Sequence, residues 1–276
     1  MDFKNKLPKK RFGQHWLINH KVLDVIEEAA ELNNNDSILE IGPGRGALTS
    51  RLLNSDIKSL HSIELDKDLI GYLQKKFSVY KKFSLEQGDI LNSDIELLNK
   101  KYSKVIANIP YNITGQILNM FVGKLGERRQ INFNKIIFMM QKDVVDRIIA
   151  RENNTNRGAL STRMQLIAKV QKICDVSATS FEPAPKVDSS VISIKPLPLS
   201  LRMDNHIEIC IDKLLKVSFN SRRKKLRNTL KNYFTADQFE YISKENNISF
   251  DLRPQDLSLN QWITMAENYI KIGNGI

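Results

Sequence analysis

Cysteine is nearly absent from this sequence: two residues, Cys174 and Cys210, in 276. Neither belongs to a C-x-x-C pair or to a histidine spacing that ligates zinc, so no disulfide framework and no metal site are expected. Long apolar runs are missing as well. The longest, Ile136 to Met140, falls far short of the roughly 18 residues that suggest a membrane span, and no membrane partner is expected. The basic opening, Met1 to Arg11, has no apolar centre of the kind a signal peptide carries, which predicts a cytoplasmic protein with reduced thiols. Glycine (12) and proline (8) are too sparse for a collagen-like or low-complexity chain, and 41% hydrophobic residues are too many for a disordered one. A chain of this length holds one large domain, or a large and a small one, with core enough to fold unstapled.

Acids are in short supply: 31 Asp+Glu against 42 Lys+Arg leave a net charge of +11. Counterion release makes such an excess suit a phosphate backbone, but a Lys- and Asn-rich composition also arises without selection for binding, so the placement of the charge matters more. Between Asp212 and Asp237 there is no acid, whereas Lys213, Lys216, Arg222, Arg223, Lys224, Lys225, Arg227 and Lys231 all occur. Leu226, Leu230, Tyr233 and Phe234 give the stretch an apolar side, which predicts a helix with its cations on the opposite face and RNA phosphates as partner. A solvated helix face is the plainer alternative. Lys4, Lys6, Lys9, Lys10 and Arg11 form a second basic group. The polar run Asn153-Asn154-Thr155-Asn156 is either a substrate-facing loop or a connection between helices.

Short apolar runs alternate with helical patterns from Ser37 to about Lys195, the signature of βα units around a parallel sheet. The expected strands are Ser37–Ile41, Leu60–Glu64, Phe83–Gln87, Lys104–Ala107, Lys135–Met140, Lys172–Val176 and Val191–Ile194. Leu69, Leu73 and Phe77, four apart, mark a helix over Asp66 to Phe77. After Leu199 only helical spacing continues, which predicts two domains, residues 1–198 and a small helical one over residues 199–276.

The first expected strand runs directly into Gly42-Pro-Gly44-Arg-Gly46. Glycines there allow a tight turn and close approach of a ligand to free N–H groups at a helix N-terminus. Glu64, about 20 residues on at the end of the second strand, stands where such folds bind ribose hydroxyls, and Asp89 follows the third strand into the same crevice. Each piece has a plain alternative: a glycine turn joins strand to helix, and an acid at a strand end caps a helix. Dinucleotide enzymes use the same context, but their third glycine comes one residue later. The acid-Ile-Gly-Pro-Gly form resembles the first motif of S-adenosylmethionine-dependent methyltransferases, and a carboxylate at Asp89 suits an adenine amino group.

Asn108-Ile109-Pro110-Tyr111 follows the fourth strand, at the same edge. The exocyclic amine of a base is a poor nucleophile because its lone pair is delocalised into the ring. The Asn108 amide oxygen and the Pro110 carbonyl can both accept its hydrogens, steering the nitrogen toward tetrahedral geometry and its lone pair toward a methyl donor. Tyr111 offers a flat face to an extruded base. The alternative is a β-turn stiffened by Pro110 and capped by Asn108 or Asn112.

These residues, with Arg11-Phe-Gly-Gln-His-Trp-Leu17, Ser62-Ile-Glu-Leu-Asp66, Met140-Gln-Lys-Asp-Val-Val145, Arg157-Gly-Ala-Leu-Ser161, Phe181-Glu-Pro-Ala-Pro-Lys-Val-Asp-Ser189 and Phe219-Asn-Ser-Arg-Arg-Lys224, resemble the small-subunit ribosomal RNA adenine N6-dimethyltransferases nearly end to end. The resemblance implies a Rossmann-like class I methyltransferase with a mostly parallel seven-stranded α/β sheet and a small C-terminal helical domain. It implies S-adenosylmethionine as cofactor, held by His15, Leu17, Gly42, Gly44, Glu64, Asp89 and Asn108. It implies a catalytic set of Asn108, Pro110, Tyr111 and Phe181, with Phe181 opposite Tyr111 across the target base, and RNA contacts from Arg222, Arg223, Lys224 and Arg227. The implied partner of this monomer is 16S rRNA in the small ribosomal subunit or its precursor, modified at N6 of two adjacent adenines in the loop of its 3′-terminal hairpin. Where the family usually has Asn-Phe, this chain has His15-Trp16. Large-subunit rRNA methyltransferases of the Erm type share the glycine turn and the Asn-x-Pro-Tyr segment, but Pro183-Ala-Pro-Lys-Val-Asp-Ser189 and Phe219-Asn-Ser-Arg-Arg look more like the small-subunit enzymes. A non-catalytic assembly factor descended from such an enzyme is a further alternative, against which the intact Asn108, Pro110, Tyr111, Glu64 and Asp89 stand.

Overall fold

The computed structural model describes residues 13–272. The basic residues Lys4, Lys6, Lys9, Lys10 and Arg11, and the first two residues of the Arg11–Leu17 motif, lie outside the described residues. Among the described residues nine strands are β1 (Trp16–Leu17), β2 (Ser37–Ile41), β3 (Ser59–Glu64), β4 (Phe83–Gln87), β5 (Lys104–Asn108), β6 (Lys135–Gln141), β7 (Ala168–Val176), β8 (Phe181–Glu182) and β9 (Ser189–Pro196). Between them run α1 (His20–Ala30), α2 (Ala47–Asn54), α3 (Lys67–Phe77), α4 (Ile95–Lys101), α5 (Thr114–Val122), α6 (Lys142–Ile149) and α7 (Ala159–Ile167). After β9 the structure is helical: α8 (Asn205–Phe219), α9 (Leu226–Thr229), α10 (Ala236–Asn246) and α11 (Leu259–Lys271). Every strand expected from the sequence is present. Among the described residues no helix is long and apolar enough to cross a membrane.

The chain forms two compact units. The first runs to Val122 and takes in Ile131–Val145 and Val170–Pro196. It holds a seven-stranded sheet in the order β4-β3-β2-β5-β6-β9-β7. The pairs from β4 through β6 are parallel, and β9 is antiparallel to β6. Strands so buried read as near-continuous apolar runs: Ile38, Leu39, Val105, Ile136 and Phe138 are fully enclosed. β2, β3 and β4 advance toward one edge while β5 and β6 lie on the other side of β2, so the order reverses between β2 and β5. Ligands bind at such a switch point, outside the carboxyl ends of the strands. Here Ile41 pairs with Ala107, which sets Gly42 and Asn108 side by side.

Helix α3 shows how local sequence builds this unit. Asp66 caps it, its side chain accepting from the Asp68 N–H at 3.1 Å, and Leu69, Leu73 and Phe77 bury one face, each worth roughly 1.5–3 kcal/mol. That face fixes the glycine turn: Gly46 has φ +75°, and a Cβ there would stand 2.6 Å from Phe77 Cε2.

The second unit comprises Gly123–Gln130, Asp146–Lys169 and Leu197 onward. The boundary expected at residues 198/199 thus describes its larger C-terminal part, while two earlier segments join it. Side chains on α8 account for them. Buried Glu208 ion-pairs with Arg202 and accepts the Gly126 N–H at 2.9 Å, and Arg163 on α7 binds Asp212. Leu214, Leu215, Trp262 and Met265 of this unit are fully buried.

Gly46→Ala is expected to lose roughly 2–5 kcal/mol of stability, the left-handed backbone costing about 1–2 and the forced contact with Phe77 about 1–3. Urea unfolding measures it; a loss under about 0.5 kcal/mol would mean that Phe77 does not hold the turn.

Candidate active site

A cavity of about 450 Å³ opens at the carboxyl ends of β2, β3, β4 and β5, within the size range of small-ligand sites. His15, Leu17, Gly42, Gly44, Glu64, Asp89, Asn108, Pro110 and Tyr111 all line it. Every residue the sequence assigns to the cofactor, and three of the four assigned to catalysis, therefore meet in one place.

Gly42 has φ +66°, and a Cβ added to it would meet nothing within 4 Å; because Gly42 lines the cavity, the missing side chain keeps that space open. Gly44 differs, since its Cβ would strike Trp16 at 2.9 Å. Trp16 is packed onto the turn, with the Arg45 guanidinium 3.8 Å above its ring and 3.6 Å from Glu182. β1 is thereby drawn over the cavity, held on its other side by antiparallel pairing with β8, Leu17 opposite Phe181. Gln14 adds a bond to Asp66 at 3.1 Å.

Glu64 is buried and accepts two backbone N–H groups, from Gly44 at 3.1 Å and Asp66 at 2.8 Å. Burial nevertheless raises its pKa above the ordinary carboxylate value. Asp89 caps the turn that follows β4 through Oδ1, which accepts the Leu91 N–H at 3.0 Å. An acid here acts as cap and cavity wall together.

Asn108 ends β5. Its Nδ2 donates to the His15 carbonyl at 3.1 Å, so the amide is turned with its oxygen as the group left to accept. The Pro110 carbonyl takes the Ile113 N–H at 3.2 Å, one of two lone pairs. Tyr111 shares a 2.9 Å hydrogen bond with Ser189, and burial raises its pKa, keeping the phenol neutral. Ser189 was not singled out by sequence reasoning; the end of the Phe181–Ser189 motif was its only signal.

Phe181 is not brought to the cavity. It is 4% exposed and packs in the core with Leu17, Val176 and Val191, because its strand pairing with Leu17 turns the ring inward. Of the four residues assigned to catalysis it is thus the one that does not line the cavity in this conformation.

In the second unit the basic stretch is not one helix. α8 ends at Phe219, and the exposed Arg222, Arg223 and Lys224 lie in the turn before the four-residue α9. The apolar side is as expected, with Leu226 and Leu230 fully buried. Arg222 donates to the Thr155 carbonyl, which joins the turn to the polar run Asn153–Asn156. Arg227 and Lys225 both pair with Asp251, at 2.9 and 3.1 Å.

A sequence model of the family described as ribosomal RNA adenine dimethylase matches residues 5–271. Ribosomal RNA small subunit methyltransferase A of Prochlorococcus marinus (strain AS9601) is 59% identical over 272 residues, 99% of each chain. The protein of that name from Synechococcus sp. (strain CC9311) is 44% identical over 97% of each. Among solved structures, a dimethyladenosine transferase from Plasmodium falciparum superposes with a TM-score of 0.76 at 27% identity, over 94% of this chain and 98% of that one. The 23S rRNA methyltransferase ErmE does so at 0.73 with 19% identity, over 92% and 99%, a likeness of fold. The fold is thus the Rossmann-like methyltransferase type, with a helical region after it.

Glu40, the acid before the glycine turn, also lines the cavity. Burial pushes its pKa up to about 7, against hydrogen bonds from Ser62 at 2.7 Å and Thr49 at 2.8 Å. The folded state therefore favours the neutral carboxyl. Glu40's contribution to stability is full below its ordinary value of 4.5 and is lost as pH rises through about 7. Glu40→Gln, which stays neutral, is expected to remove a decline on the order of 2–3 kcal/mol between pH 5 and 8. Urea unfolding at both pH values checks this; an undiminished decline would place the titrating group elsewhere.

Proposed function

From membership of the ribosomal RNA adenine dimethylase family, to which this chain belongs, we propose how this rRNA adenine methyltransferase works and on what. It dimethylates N6 of two adjacent adenines in the loop of the 3′-terminal hairpin of 16S rRNA, within the small subunit or its precursor. Relatives 44–59% identical over nearly the full length carry the small-subunit name, which favours this substrate over the large-subunit reading. It acts as a monomer where subunits are assembled, in the cytoplasm.

One observation carries the reading: the Asn108 amide, tied by its nitrogen to His15, faces the same cavity as the glycine turn and the two acids. The open space beside Gly42, with carboxylates at Glu64 and Asp89 and apolar walls from Ile63 and Ile90, fits S-adenosylmethionine. Glu64 would hold the ribose hydroxyls, Asp89 the adenine amino group, and His15, Leu17, Gly42, Gly44 and Asn108 the rest. When bound, that cofactor supplies an electrophilic methyl group on a sulfonium.

The chain's own part is to aim the nucleophile. Asn108 Oδ1 and the second lone pair of the Pro110 carbonyl accept the two N6 hydrogens, localising the nitrogen lone pair, and Tyr111 supports one face of the base. The amine gains the methyl and loses a proton to water; the methylated nitrogen is acidic enough to need no general base. In the second round one hydrogen remains, so one acceptor goes without a partner. Arg222, Arg223, Lys224 and Arg227, in the helical domain, take RNA phosphates. Arg227 is already partnered by Asp251, which ranks it below the three exposed cations of the turn.

Mass spectrometry of small-subunit particles lacking the modification, incubated with the protein and donor, tests the function; absence of dimethyladenosine in the terminal hairpin would overturn it. Asn108→Ala is expected to cut methyl transfer at least about 100-fold with RNA affinity changed less than about threefold, read by labelled-methyl incorporation and filter binding. Replacing Arg222, Arg223 and Lys224 by Gln is expected to weaken RNA binding and to lower the slope of log affinity against log salt by about 2–3. An unchanged slope would remove these residues from the interface.

A further inference from the structure

Resting on the reading that the Asn108 amide oxygen takes a hydrogen of the target amine, we propose that Arg45 is a positioning residue for methyl transfer. It acts through Trp16 and the β1 strap on the Asn108 amide. Arg45 belongs to the glycine turn, and its side chain reaches two other places at once. The guanidinium carbon lies 3.8 Å from the centroid of the Trp16 ring, and Nη1 lies 3.6 Å from a carboxylate oxygen of Glu182. Trp16 and Glu182 stand opposite each other across the β1–β8 pair. One side chain thus ties the turn to both strands of the strap.

The backbone from which Arg45 reaches is itself held. Lys76 Nζ donates to the Arg45 carbonyl at 2.9 Å, and the Gly46 N–H donates to the Pro43 carbonyl at 2.8 Å. Trp16 also meets the turn at Gly44, where a Cβ would stand 2.9 Å from the indole Cδ1. The ends of the strap are tied elsewhere, Gln14 to Asp66 and Asn19 to Ser180, both at 3.1 Å; Arg45 and Gly44 hold its middle. Next to Trp16 is His15, whose carbonyl takes the Asn108 amide hydrogen at 3.1 Å. Hydrogen bonds weaken steeply with misalignment, so play in the strap at Trp16 becomes play in Asn108. A lysine could face Glu182, but only a planar guanidinium lies flat on an indole. With Glu182 largely exposed, the ion pair is the weaker of the two contacts, and the stack carries the role.

The test is single-turnover methyl transfer to small-subunit particles lacking the modification, at saturating donor and varied particle concentration. Arg45→Ala changes a side chain that is 31% exposed, outside any core. It is expected to lower the limiting rate about 2- to 30-fold, the range a cation–π contact spans, with the half-saturating particle concentration changed less than about twofold. Trp16→Leu is expected to match it, and Trp16→Phe, which restores a ring face, to recover most of the rate. The double variant Trp16→Leu/Arg45→Ala falls no further than either alone. Added to Asn108→Ala, Arg45→Ala slows transfer no further, since the amide through which it acts is gone. The Arg45 and Asn108 variants decide the matter even if Trp16→Leu does not fold. A wild-type limiting rate in Arg45→Ala, Arg45 and Trp16 effects that multiply, or a further loss in the Asn108→Ala background would overturn the proposal while Asn108→Ala keeps its own defect. Wild-type transfer by Asn108→Ala would instead sink the underlying reading, and this proposal with it.

Discussion

A carboxamide that donates in one direction must accept in another, and the site depends on that asymmetry at Asn108. The bond from its nitrogen to the His15 carbonyl exists only because two long-range constraints meet. Parallel pairing of β2 with β5 brings Asn108 up beside the glycine turn. Antiparallel pairing of β1 with β8, nearly the whole first unit away in sequence, brings the His15 carbonyl down onto it. Without either pairing, the hydrogen bond that tells the amide's donating end from its accepting one is lost.

The same strap explains the shape of the turn beneath it. Gly44 gives way to the indole of Trp16, Gly46 to the ring of Phe77, and Gly42 to open cavity, so three glycines within five residues answer three different neighbours. Around them Glu40 and Glu64 are both buried, and burial raises the pKa of each above the ordinary carboxylate value. Hydrogen bonds from Ser62 and Thr49 to Glu40, and from Gly44 and Asp66 to Glu64, build both side chains into the wall of the cavity.

How far this was legible in the sequence follows from the range of the interactions concerned. Strands and the spacing of Leu69, Leu73 and Phe77 are local signals, and they located β2 through β6 and α3 closely. Chemistry at strand ends follows from sheet topology, which is why Glu64, Asp89 and Asn108 could be assigned to one crevice. That Phe181 does not line the cavity could not be read, because it lies in a two-residue strand pairing with Leu17, which leaves no periodic trace. The basic stretch read as one helix because its apolar spacing continues through Leu226 and Leu230, although the chain turns at Asn220 in between. Likewise, nothing in the hydrophobic pattern announces that a buried carboxylate at Glu208 gathers Arg202 and Gly126 into the helical unit.

Why an amide and not an acid should occupy position 108 can be argued from these contacts. A carboxylate would be the stronger acceptor, as charged acceptors are. Yet it has no hydrogen to give the His15 carbonyl, and it would set two oxygens against each other at about the 3.1 Å now spanned by a hydrogen bond. It would also bring a fourth acidic group into a cavity already lined by Glu40, Glu64 and Asp89, raising the cost of ionising any of them. A hydroxyl could donate and accept, but serine or threonine is too short to reach both partners from the end of β5. The amide alone combines reach, a fixed donor and a fixed acceptor, so the strap that holds its nitrogen also decides which way its oxygen is left to accept.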